Sequence, residues 1–410
     1  MKTTPVRGTN DFLPQQARLR DYLQTEILNV YTKNGYERIT TPIIEDIENL
    51  DKSDGGENLN LIFRVLKRGD KLETAIKENP TEQNLCDMGL RYDLTLPLTR
   101  YYANNRAKLS SPLKCIQLDR VYRAERPQKG RLREFIQCDI DIIGSSSLFC
   151  EVELIDITAT ALIAIGLKNF KIKINDRRLL RGSLASFGFE ESQLDSVCIT
   201  FDKLDKVGVE GVEAELREKN FDEKSVCAFC SFLKENDFSL GRLKVLLGEN
   251  EAVDSVEKIM AYTDQIADGR YKTEFDLSLV RGQGYYTGTV FEVVSEDFKG
   301  SVGGGGRYDN LIGKFIGENV PAVGFSIGFE RIFAILSEQN YVIPNAKKKL
   351  ALLFDPENFI EVANRAKQLQ GEYETTLFDT PKKTSKFLNR LAEQGYYGAI
   401  LSGSQDITVL

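Results

Sequence analysis

Two strand-like segments on either side of a short basic loop constrain the fold of this chain more than any other feature. Residues 115–123 read CIQLDRVYR and residues 134–144 read EFIQCDIDIIG. Alternate side chains of the second segment are apolar: Ile136, Cys138, Ile140 and Ile142. Such alternation is typical of a strand with one face against a core. The two segments therefore predict a pair of adjacent antiparallel strands within a sheet.

The opposite face of the second strand carries polar and aromatic side chains. Its members are Phe135, Gln137, Asp139 and Asp141. An aromatic ring beside a row of hydrogen-bonding groups could face a polar ligand. A solvent-exposed side of the sheet is the other interpretation, and alternation alone does not separate the two.

The loop between the strands is strongly basic. Residues 123–133 contain five cations, which are Arg123, Arg126, Lys129, Arg131 and Arg133. Cations this close on a tight turn repel one another unless an anion joins them, and arginine offers a bidentate fork for phosphate. The loop is either a clamp for a polyphosphate or nucleic-acid backbone, or a solvated hairpin tip.

The chain contains no histidine, which limits the chemistry it can perform. Serine or cysteine hydrolases that use a histidine base, HExxH zinc sites and imidazole acid–base catalysis are all excluded. No side chain with an ordinary pKa between pH 5 and 8 remains. Catalysis must rest on carboxylates, arginines, backbone groups or a metal ion bound by oxygen ligands.

Charge, cysteine content and hydropathy exclude several other classes of protein. The net charge of −7 argues against a protein that coats nucleic acid through bulk charge, although a local basic patch remains possible. Seven irregularly spaced cysteines fit reduced thiols rather than a disulfide framework, and Cys227-Ala-Phe-Cys230 is better explained by helix packing than by zinc. Neither a signal peptide nor an apolar run of membrane-spanning length is evident, so a cytoplasmic protein is expected.

The 410 residues correspond to two or three domains of about 150 residues each. The pattern predicts a helix over 16–34, a charged helical insertion over 176–268 and strand character over 276–295. A glycine run at 303–306 offers either close backbone approach to a ligand or a flexible bend. After a boundary near 339–349, the chain alternates β-α-β-α-β, which predicts a small α/β domain.

Three further segments offer candidate site residues. In LRYDLTLPL, Asp93 interrupts an apolar run and could bind a ligand or cap a turn. In LVRGQGYYTG, Arg281 precedes the Tyr285-Tyr286 pair, and a plain hairpin with core tyrosines is the alternative. Arg331 falls in the first turn of a helix, where a cation opposes the helix dipole and a bound anion would explain it.

Taken together and in this order, these segments resemble the class II aminoacyl-tRNA synthetases and, within them, the histidyl-tRNA synthetase family. TTPIIE is similar to the dimer-forming motif 1, and RVYRAERPQKGRLREFIQCDIDIIG to motif 2. LVRGQGYYTGTVFEV resembles the histidine-specific segment, and AVGFSIGFERI resembles motif 3. Each match is modest, but four in the family's order over residues up to about 340 are specific.

The resemblance implies roles for individual residues. Arg123 would bind the α-phosphate of ATP and Arg331 the γ-phosphate, and together with Arg281 they would be the catalytic residues. The ATP site would comprise Arg123, Glu125, Arg131, Phe135 and Arg331, with Phe135 against adenine. The histidine pocket would comprise Asp93, Thr95, Gln137, Asp141, Arg281, Tyr285, Tyr286, Gly304, Gly305 and Tyr308. The loop residues Arg126, Gln128 and Lys129 would contact the tRNA for histidine.

The fold implied is a mixed α/β (α+β) protein with a class II antiparallel sheet flanked by helices. Residues 1–340 would form the catalytic core, interrupted by the 176–268 insertion, and 347–410 a shortened domain like the family's anticodon-binding domain. ATP as substrate, Mg²⁺ on its phosphates, a cytoplasmic homodimer and no membrane association are implied, and no residues are expected to bind a resident metal. Asp141 stands where many members have Glu, and Gln283-Gly284 where many have Leu-Asp.

Two functions remain open at this point. The first is an active ligase that joins histidine to its tRNA. The second is a catalytically silent, histidine-binding paralogue of the kind found as the regulatory subunit of ATP phosphoribosyltransferase. Retention of both ATP-site arginines and of the basic loop favours the enzyme, whereas the shortened C-terminal domain is the best argument for the paralogue.

Overall fold

The computed structural model describes residues 1–51, 58–126, 132–279 and 286–410. These residues form two compact units, Met1–Tyr341 and Val342–Leu410. The strands of the described residues are β1 (Glu37–Arg38), β2 (Ile44–Asp46), β3 (Phe63–Leu66), β4 (Cys86–Leu90), β5 (Leu113–Tyr122), β6 (Glu134–Ile143), β7 (Phe170–Asp176), β8 (Thr273–Phe275), β9 (Thr289–Ser295), β10 (Ser301–Arg307), β11 (Ala322–Ile327), β12 (Lys348–Phe354), β13 (Tyr373–Asp379), β14 (Tyr396–Ile400) and β15 (Ile407–Val409).

The helices lie mainly between these strands. They are α1 (Pro14–Lys33), α2 (Ile47–Asp51), α3 (Asp70–Glu78), α4 (Glu82–Leu85), α5 (Thr95–Asn105), α6 (Phe149–Ala164), α7 (Arg177–Ser186), α8 (Glu191–Phe201), α9 (Leu204–Glu218), α10 (Glu223–Glu235), α11 (Leu240–Leu247), α12 (Glu251–Ala267), α13 (Gly313–Ile316), α14 (Phe329–Glu338), α15 (Phe359–Leu369) and α16 (Thr384–Glu393). Short 3₁₀ turns occupy Asn58–Leu61, Arg106–Lys108 and Pro356–Asn358.

An eight-stranded sheet forms the centre of the first unit, in the order β1-β5-β6-β11-β10-β9-β7-β8. The six inner strands are antiparallel, whereas β1 and β8 at the edges pair in parallel with β5 and β7. The predicted hairpin is confirmed as β5 and β6, with Cys115 opposite Asp141 and Val121 opposite Phe135. The antiparallel sheet is therefore confirmed, with parallel pairing added at both edges.

Helices cover the sheet where the sequence is apolar. Helix α1 buries Leu19, Leu23, Ile27 and Tyr31. The Tyr31 hydroxyl and the Thr158 hydroxyl of α6 form a hydrogen bond at 2.7 Å. Between β7 and β8 every regular element is a helix, from α7 to α12, over the span where the charge pattern favoured an insertion. No helix of the described residues is long and apolar enough to cross a membrane.

The glycine run lies inside the sheet as strand β10, with β9 on one side and β11 on the other. The flexible-bend interpretation is therefore wrong. A Cβ atom on Gly305 would lie 2.0 Å from the carbonyl oxygen of Gly324 on β11, a separation that no side chain tolerates. Glycine at position 305 thus permits close packing of β10 against β11. This packing fixes the position of β11, which pairs with β6 on its other side.

A buried ion pair holds the end of β10 against helix α6. Arg307 donates to both carboxylate oxygens of Glu151 at 2.6 Å, and a second carboxylate, Asp309, lies 3.2 Å from the same guanidinium. Glu151 is almost fully buried. Because neither charge can reach bulk water, loss of one partner would leave the other uncompensated.

We expect Glu151→Gln to lower the free energy of unfolding of the first unit by about 3 kcal/mol, since Asp309 compensates Arg307 in part. The control is Glu153→Gln on the same helix. Glu153 pairs with Lys114, and both side chains are about one-third exposed, so a cost of at most about 1 kcal/mol is expected. Chemical denaturation measures both, and equal costs for the two variants would contradict the buried-pair account.

The second unit is a four-stranded sheet in the order β13-β12-β14-β15. Strand β12 pairs in parallel with β13 and β14, and β15 joins antiparallel. Helices α15 and α16 contribute Ala366 and Leu391 to the two apolar clusters of this unit. The predicted small α/β unit is confirmed, and its final strand extends to Val409.

Candidate active site

A two-part cavity lies over the polar face of β6, between β6, β10 and β11. The deep part has a volume of about 190 Å³ and the outer part about 400 Å³. Both parts are lined by Arg123, Gln137, Gly304 and Ser326. The combined volume of the two parts falls within the roughly 300–1,000 Å³ that is usual for small-molecule sites. The polar face of the predicted strand therefore faces a cavity rather than open solvent.

Asp141 and Tyr308 meet at the bottom of the deep part. The Tyr308 hydroxyl donates to Asp141 Oδ1 at 2.6 Å, and only 3% of Asp141 is exposed. The contact depends on Gly324, which is paired with Asp141 across the two strands. A Cβ atom on Gly324 would lie 2.2 Å from Asp141 Oδ1, so a larger residue there would displace the carboxylate.

Gln137 and Asp139 follow on the same face of β6. The Gln137 side-chain nitrogen donates to Asp139 Oδ2 at 2.8 Å. Three buried acceptor atoms in this row have no hydrogen-bond partner among the described residues: Gln137 Oε1, Asp139 Oδ1 and Asp141 Oδ2. Because buried polar atoms are nearly always paired in native structures, the deep part is built to receive a ligand with several N–H donors.

Burial raises the pKa of each carboxyl group around the deep part. The pKa of Asp141 rises to about 7, chiefly through burial, while the Tyr308 hydrogen bond acts in the opposite direction. Burial, followed by the Asp141 charge, raises the pKa of Asp139 well above its usual range. Burial also raises the pKa of Asp93, against a hydrogen bond from the Leu96 amide. A cationic ligand would stabilise the ionised forms of all three.

We expect Asp141→Asn to make the ligand-free protein more stable at pH 8. The folded protein keeps a proton on Asp141 up to about pH 7, whereas the unfolded chain releases it near pH 4. Stability is therefore lost as the pH rises through this window, and the loss is complete above pH 7. In thermal unfolding, the advantage of the variant in Tm should be a few degrees larger at pH 8 than at pH 5. Parallel pH profiles of the two proteins would contradict this.

Asp93 and Thr95 come from the turn that joins β4 to α5. Asp93 is buried and accepts a hydrogen bond from the Leu96 amide at 3.2 Å, which makes it a cap of α5. Its charge also acts on Asp139, Asp141 and Arg123. Thr95 lines the deep part directly. The capping interpretation is thus correct, and the same geometry brings Asp93 close to the pocket.

Arg123 and Arg331 provide the positive charge of the outer part. The Arg123 Nε donates to the Tyr92 carbonyl oxygen at 3.0 Å, and its guanidinium lies 4.9 Å from the centre of the Phe135 ring. The Arg331 guanidinium donates to the Ser301 carbonyl oxygen. Each arginine donates to a backbone oxygen, and both line the outer part.

A second layer of contacts positions this wall of the cavity. The Glu330 carboxylate, next to Arg331, accepts hydrogen bonds from both terminal nitrogens of Arg20 at 2.6 and 2.7 Å. It also accepts a hydrogen bond from the Ile136 amide at 3.0 Å. Helices α1 and α14 are thereby fixed to β6. The Arg20–Glu330 contact is not evident from the sequence, because 310 residues separate the two side chains and no local pattern links them. The family resemblance likewise assigns no role to Asp139.

The remaining predicted residues divide into three groups. Glu125 lines the outer part, and Tyr286, Gly304, Gly305 and Tyr308 line the deep part. Arg126 is exposed at the start of the basic loop. Gln128, Lys129, Arg131, Arg281 and Tyr285 lie outside the described residues. Within the described ranges, no group of three or more Cys, Asp or Glu side chains could hold a metal ion.

Comparisons with known proteins agree with this geometry. The family model described as Histidyl-tRNA synthetase matches residues 8–332. A histidine--tRNA ligase from Leifsonia xyli subsp. xyli is 42% identical over 366 residues, which cover 86% of this chain and 84% of that protein. The match to the family model includes β6, β10, β11 and the start of α14, and thus every element that lines the cavity.

Solved structures resemble the chain over almost its full length. The crystal structure of histidyl-tRNA synthetase from Nostoc sp. PCC 7120 superposes with a TM-score of 0.81 at 28% identity, and the match covers 98% of this chain and 91% of that one. A structure described as an ATP phosphoribosyltransferase regulatory subunit/histidyl-tRNA synthetase from Bacillus halodurans C gives 0.78 at 22% identity, covering 98% of both chains, and shows a shared fold alone. The family match and the identity to curated relatives establish that this chain belongs to the histidyl-tRNA synthetase family.

Proposed function

We propose that this chain is a histidine–tRNA ligase, which activates histidine with ATP and transfers it to the 3′ end of the tRNA for histidine. The observation that carries the proposal is the division of the cavity by charge. Its deep part presents unpaired acceptors, and its outer part presents two arginines. A ligand with N–H donors at one end and a reactant with phosphates at the other would fit this division.

Histidine matches the acceptors of the deep part. Imidazole and an α-ammonium group both donate N–H hydrogen bonds, and Asp141 Oδ2 and Gln137 Oε1 would accept them. A site that pairs substrate N–H groups can reject analogues that lack them by about 10⁴–10⁵-fold, because its own buried acceptors would stay unpaired. The Asp141 carboxylate, which the Tyr308 hydroxyl holds in position, would therefore recognise the imidazole ring by a hydrogen bond.

The direction of the amino acid follows from the residues shared by the two parts. The carboxylate of histidine must reach the α-phosphate, so it would lie near Arg123, where the two parts meet. The α-ammonium is one carbon away and would lie near Gln137, with Asp93 and Thr95 on the same side. The imidazole then extends inward to Asp141 and Tyr308. The backbone of Gly304 and Gly305, with Tyr286, would enclose the side chain.

The activation step would rest on positioning and on positive charge. An oxygen of the histidine carboxylate attacks the α-phosphorus of ATP, the bond to the β-phosphate oxygen breaks, and pyrophosphate leaves. Negative charge grows on the phosphate oxygens in the transition state, where pre-positioned arginines are most effective. Arg123 would stabilise the α-phosphate and Arg331 the γ-phosphate, with Phe135 and Glu125 around adenine. Arg281 and Arg131, outside the described residues, would complete the set.

Mg²⁺ would enter with ATP. In the described part of the outer cavity the carboxylates are Glu125 and Glu330, and Glu330 is already bound to Arg20. Few protein carboxylates are needed by an ion that keeps its water ligands and relies on substrate phosphates. Such an ion would neutralise part of the phosphate charge, while the arginines of the chain orient the reacting groups.

Transfer to tRNA would follow at the same site. A hydroxyl of the terminal ribose attacks the carbonyl carbon of the adenylate, and AMP leaves. Arg126, Gln128 and Lys129 of the basic loop would contact the acceptor end of the tRNA. The second unit, Val342–Leu410, would act as an anticodon-binding domain. We further propose a homodimer formed through the motif 1 segment and a cytoplasmic location, as the family resemblance implies.

The silent, histidine-binding paralogue is the second candidate. The shared fold with the Bacillus halodurans protein would accommodate it. The retained arginines of the outer part favour the enzyme, because a protein that only binds histidine needs one cation for the carboxylate and gains nothing from Arg331 in the outer part. The two functions share the deep part and differ in the use of ATP.

Aminoacylation tests the proposal directly. Purified protein is incubated with labelled histidine, ATP, Mg²⁺ and a transcript of the tRNA for histidine, and the acid-precipitable label is counted. We expect label on the tRNA only when all components are present, with the tRNA for a different amino acid as the matched control. Binding of histidine without any charging of the tRNA would reject the ligase and favour the paralogue.

A further inference from the structure

Asp139 is a buried acidic residue in the deep part to which the family resemblance assigns no role. It lies between Gln137 and Asp141 on the polar face of β6, and only 4% of it is exposed. It lines the deep part of the cavity. Since no cation forms an ion pair with it among the described residues, an ionised carboxylate here is costly unless a ligand or a neighbouring donor binds it.

The contact between Asp139 and Gln137 fixes the orientation of an amide. A primary amide has a donor end and an acceptor end of nearly the same shape, and its environment decides which way it points. In the structure the nitrogen of Gln137 donates to Asp139 Oδ2 at 2.8 Å. A bound cation would favour the ionised form of Asp139, which is an acceptor only and therefore keeps the Gln137 nitrogen on its own side. The oxygen Gln137 Oε1 is then forced to the opposite side, where it has no partner among the described residues.

We infer that Asp139 is a positioning residue, which turns the acceptor end of Gln137 toward the α-ammonium group of the bound amino acid. The inference rests on the proposed function, because it takes histidine as the ligand. Gln137 lines both parts of the cavity, so its oxygen is available where the backbone end of the substrate would lie. Without Asp139 the amide could rotate and present its nitrogen, which repels an ammonium group.

Binding of three ligands to the protein and its variants, measured by calorimetry without ATP, tests the inference. The ligands are histidine, histidinol, which keeps the α-ammonium but lacks the carboxylate, and imidazolepropionate, which lacks the α-ammonium. Asp139→Ala should weaken the binding of histidine and of histidinol by about 10- to 100-fold, which is the usual contribution of a hydrogen bond to a charged group. Imidazolepropionate should bind as it does to the unchanged protein.

Two further variants separate positioning from direct contact. In a Gln137→Ala background, Asp139→Ala should weaken the binding of histidine by less than about a further threefold, because its effect passes through Gln137. Asp139→Asn should restore binding to within a few-fold, since an asparagine oxygen can still accept from the Gln137 nitrogen. Additive losses in the double variant, or an Asn variant as weak as Ala, would overturn the inference in favour of direct contact.

The controls distinguish this inference from the proposed function. Unchanged circular dichroism and an unchanged KM for ATP would show that the Asp139 variants fold. If the unchanged protein binds none of the three ligands, both the proposed function and the inference fail. If it binds histidine and histidinol but Asp139→Ala binds them equally well, the inference alone fails.

Discussion

Arg123→Ala should reduce histidine-dependent ATP–pyrophosphate exchange by about 10²–10³-fold in kcat, the usual cost of removing one pre-positioned group that stabilises transition-state charge. Arg123 begins the basic loop and lines both parts of the cavity. The Tyr92 carbonyl oxygen and the Phe135 ring hold its guanidinium in place. In the proposed complex, loss of this side chain would remove a positive charge beside the α-phosphate.

The matched control is Arg120→Ala, three residues earlier on β5. It removes the same charge, but Arg120 is 63% exposed and pairs with Glu134 on the surface. Exchange should stay within about twofold of the unchanged protein. Equal losses in Arg120→Ala and Arg123→Ala would mean that general positive charge, and not a phosphate contact, is responsible.

Asp141→Ala should lower kcat/KM for histidine by about 10²–10³-fold and leave the KM for ATP unchanged. The variant removes the carboxylate that would accept from imidazole and also leaves the Tyr308 hydroxyl without its 2.6 Å acceptor. A hydrogen bond to a charged group contributes about 1.5–3 kcal/mol, and an unpaired buried hydroxyl adds to the loss. Exchange kinetics with histidine and ATP varied separately measure both constants.

Tyr308→Phe provides the graded comparison for Asp141. It removes one hydroxyl and keeps the carboxylate, so we expect a loss of about 10-fold, confined to histidine. A rise in the KM for ATP in either variant would contradict the assignment of the deep part to the amino acid. Together with the stabilisation expected for Asp141→Asn, these variants describe a site that lowers stability in return for function.

The architecture of the first unit follows from local patterns in the sequence. The alternation in β6 identifies its core face, and the helical insertion is evident from its charge and lack of strand alternation. Alternation does not reveal whether the polar face is covered. Whether this face is covered depends on β10 and β11, which lie more than 150 residues later in the sequence and enclose Asp139 and Asp141. The burial of these carboxylates, and hence their raised pKa values, is a property of the folded chain alone.

Strand β10, with its four consecutive glycines, illustrates a different limit of prediction from sequence. Four consecutive glycines carry no side-chain pattern, so local rules allow a bend as readily as a strand. The identity of β10 as a central strand comes from its neighbours, because only glycine fits where Gly305 meets the Gly324 carbonyl oxygen. Likewise, Arg331 could be read from its position in the first turn of α14, but the Arg20–Glu330 contact that secures this helix could not.

The central claim is that the deep part of the cavity selects histidine for reaction with ATP in the outer part. ATP–pyrophosphate exchange with each of the twenty amino acids in turn, beside an Arg281→Ala control, tests it most directly. The account predicts exchange with histidine alone, abolished in the control. Exchange with another amino acid at a comparable rate, or none with histidine despite measurable histidine binding, would contradict it.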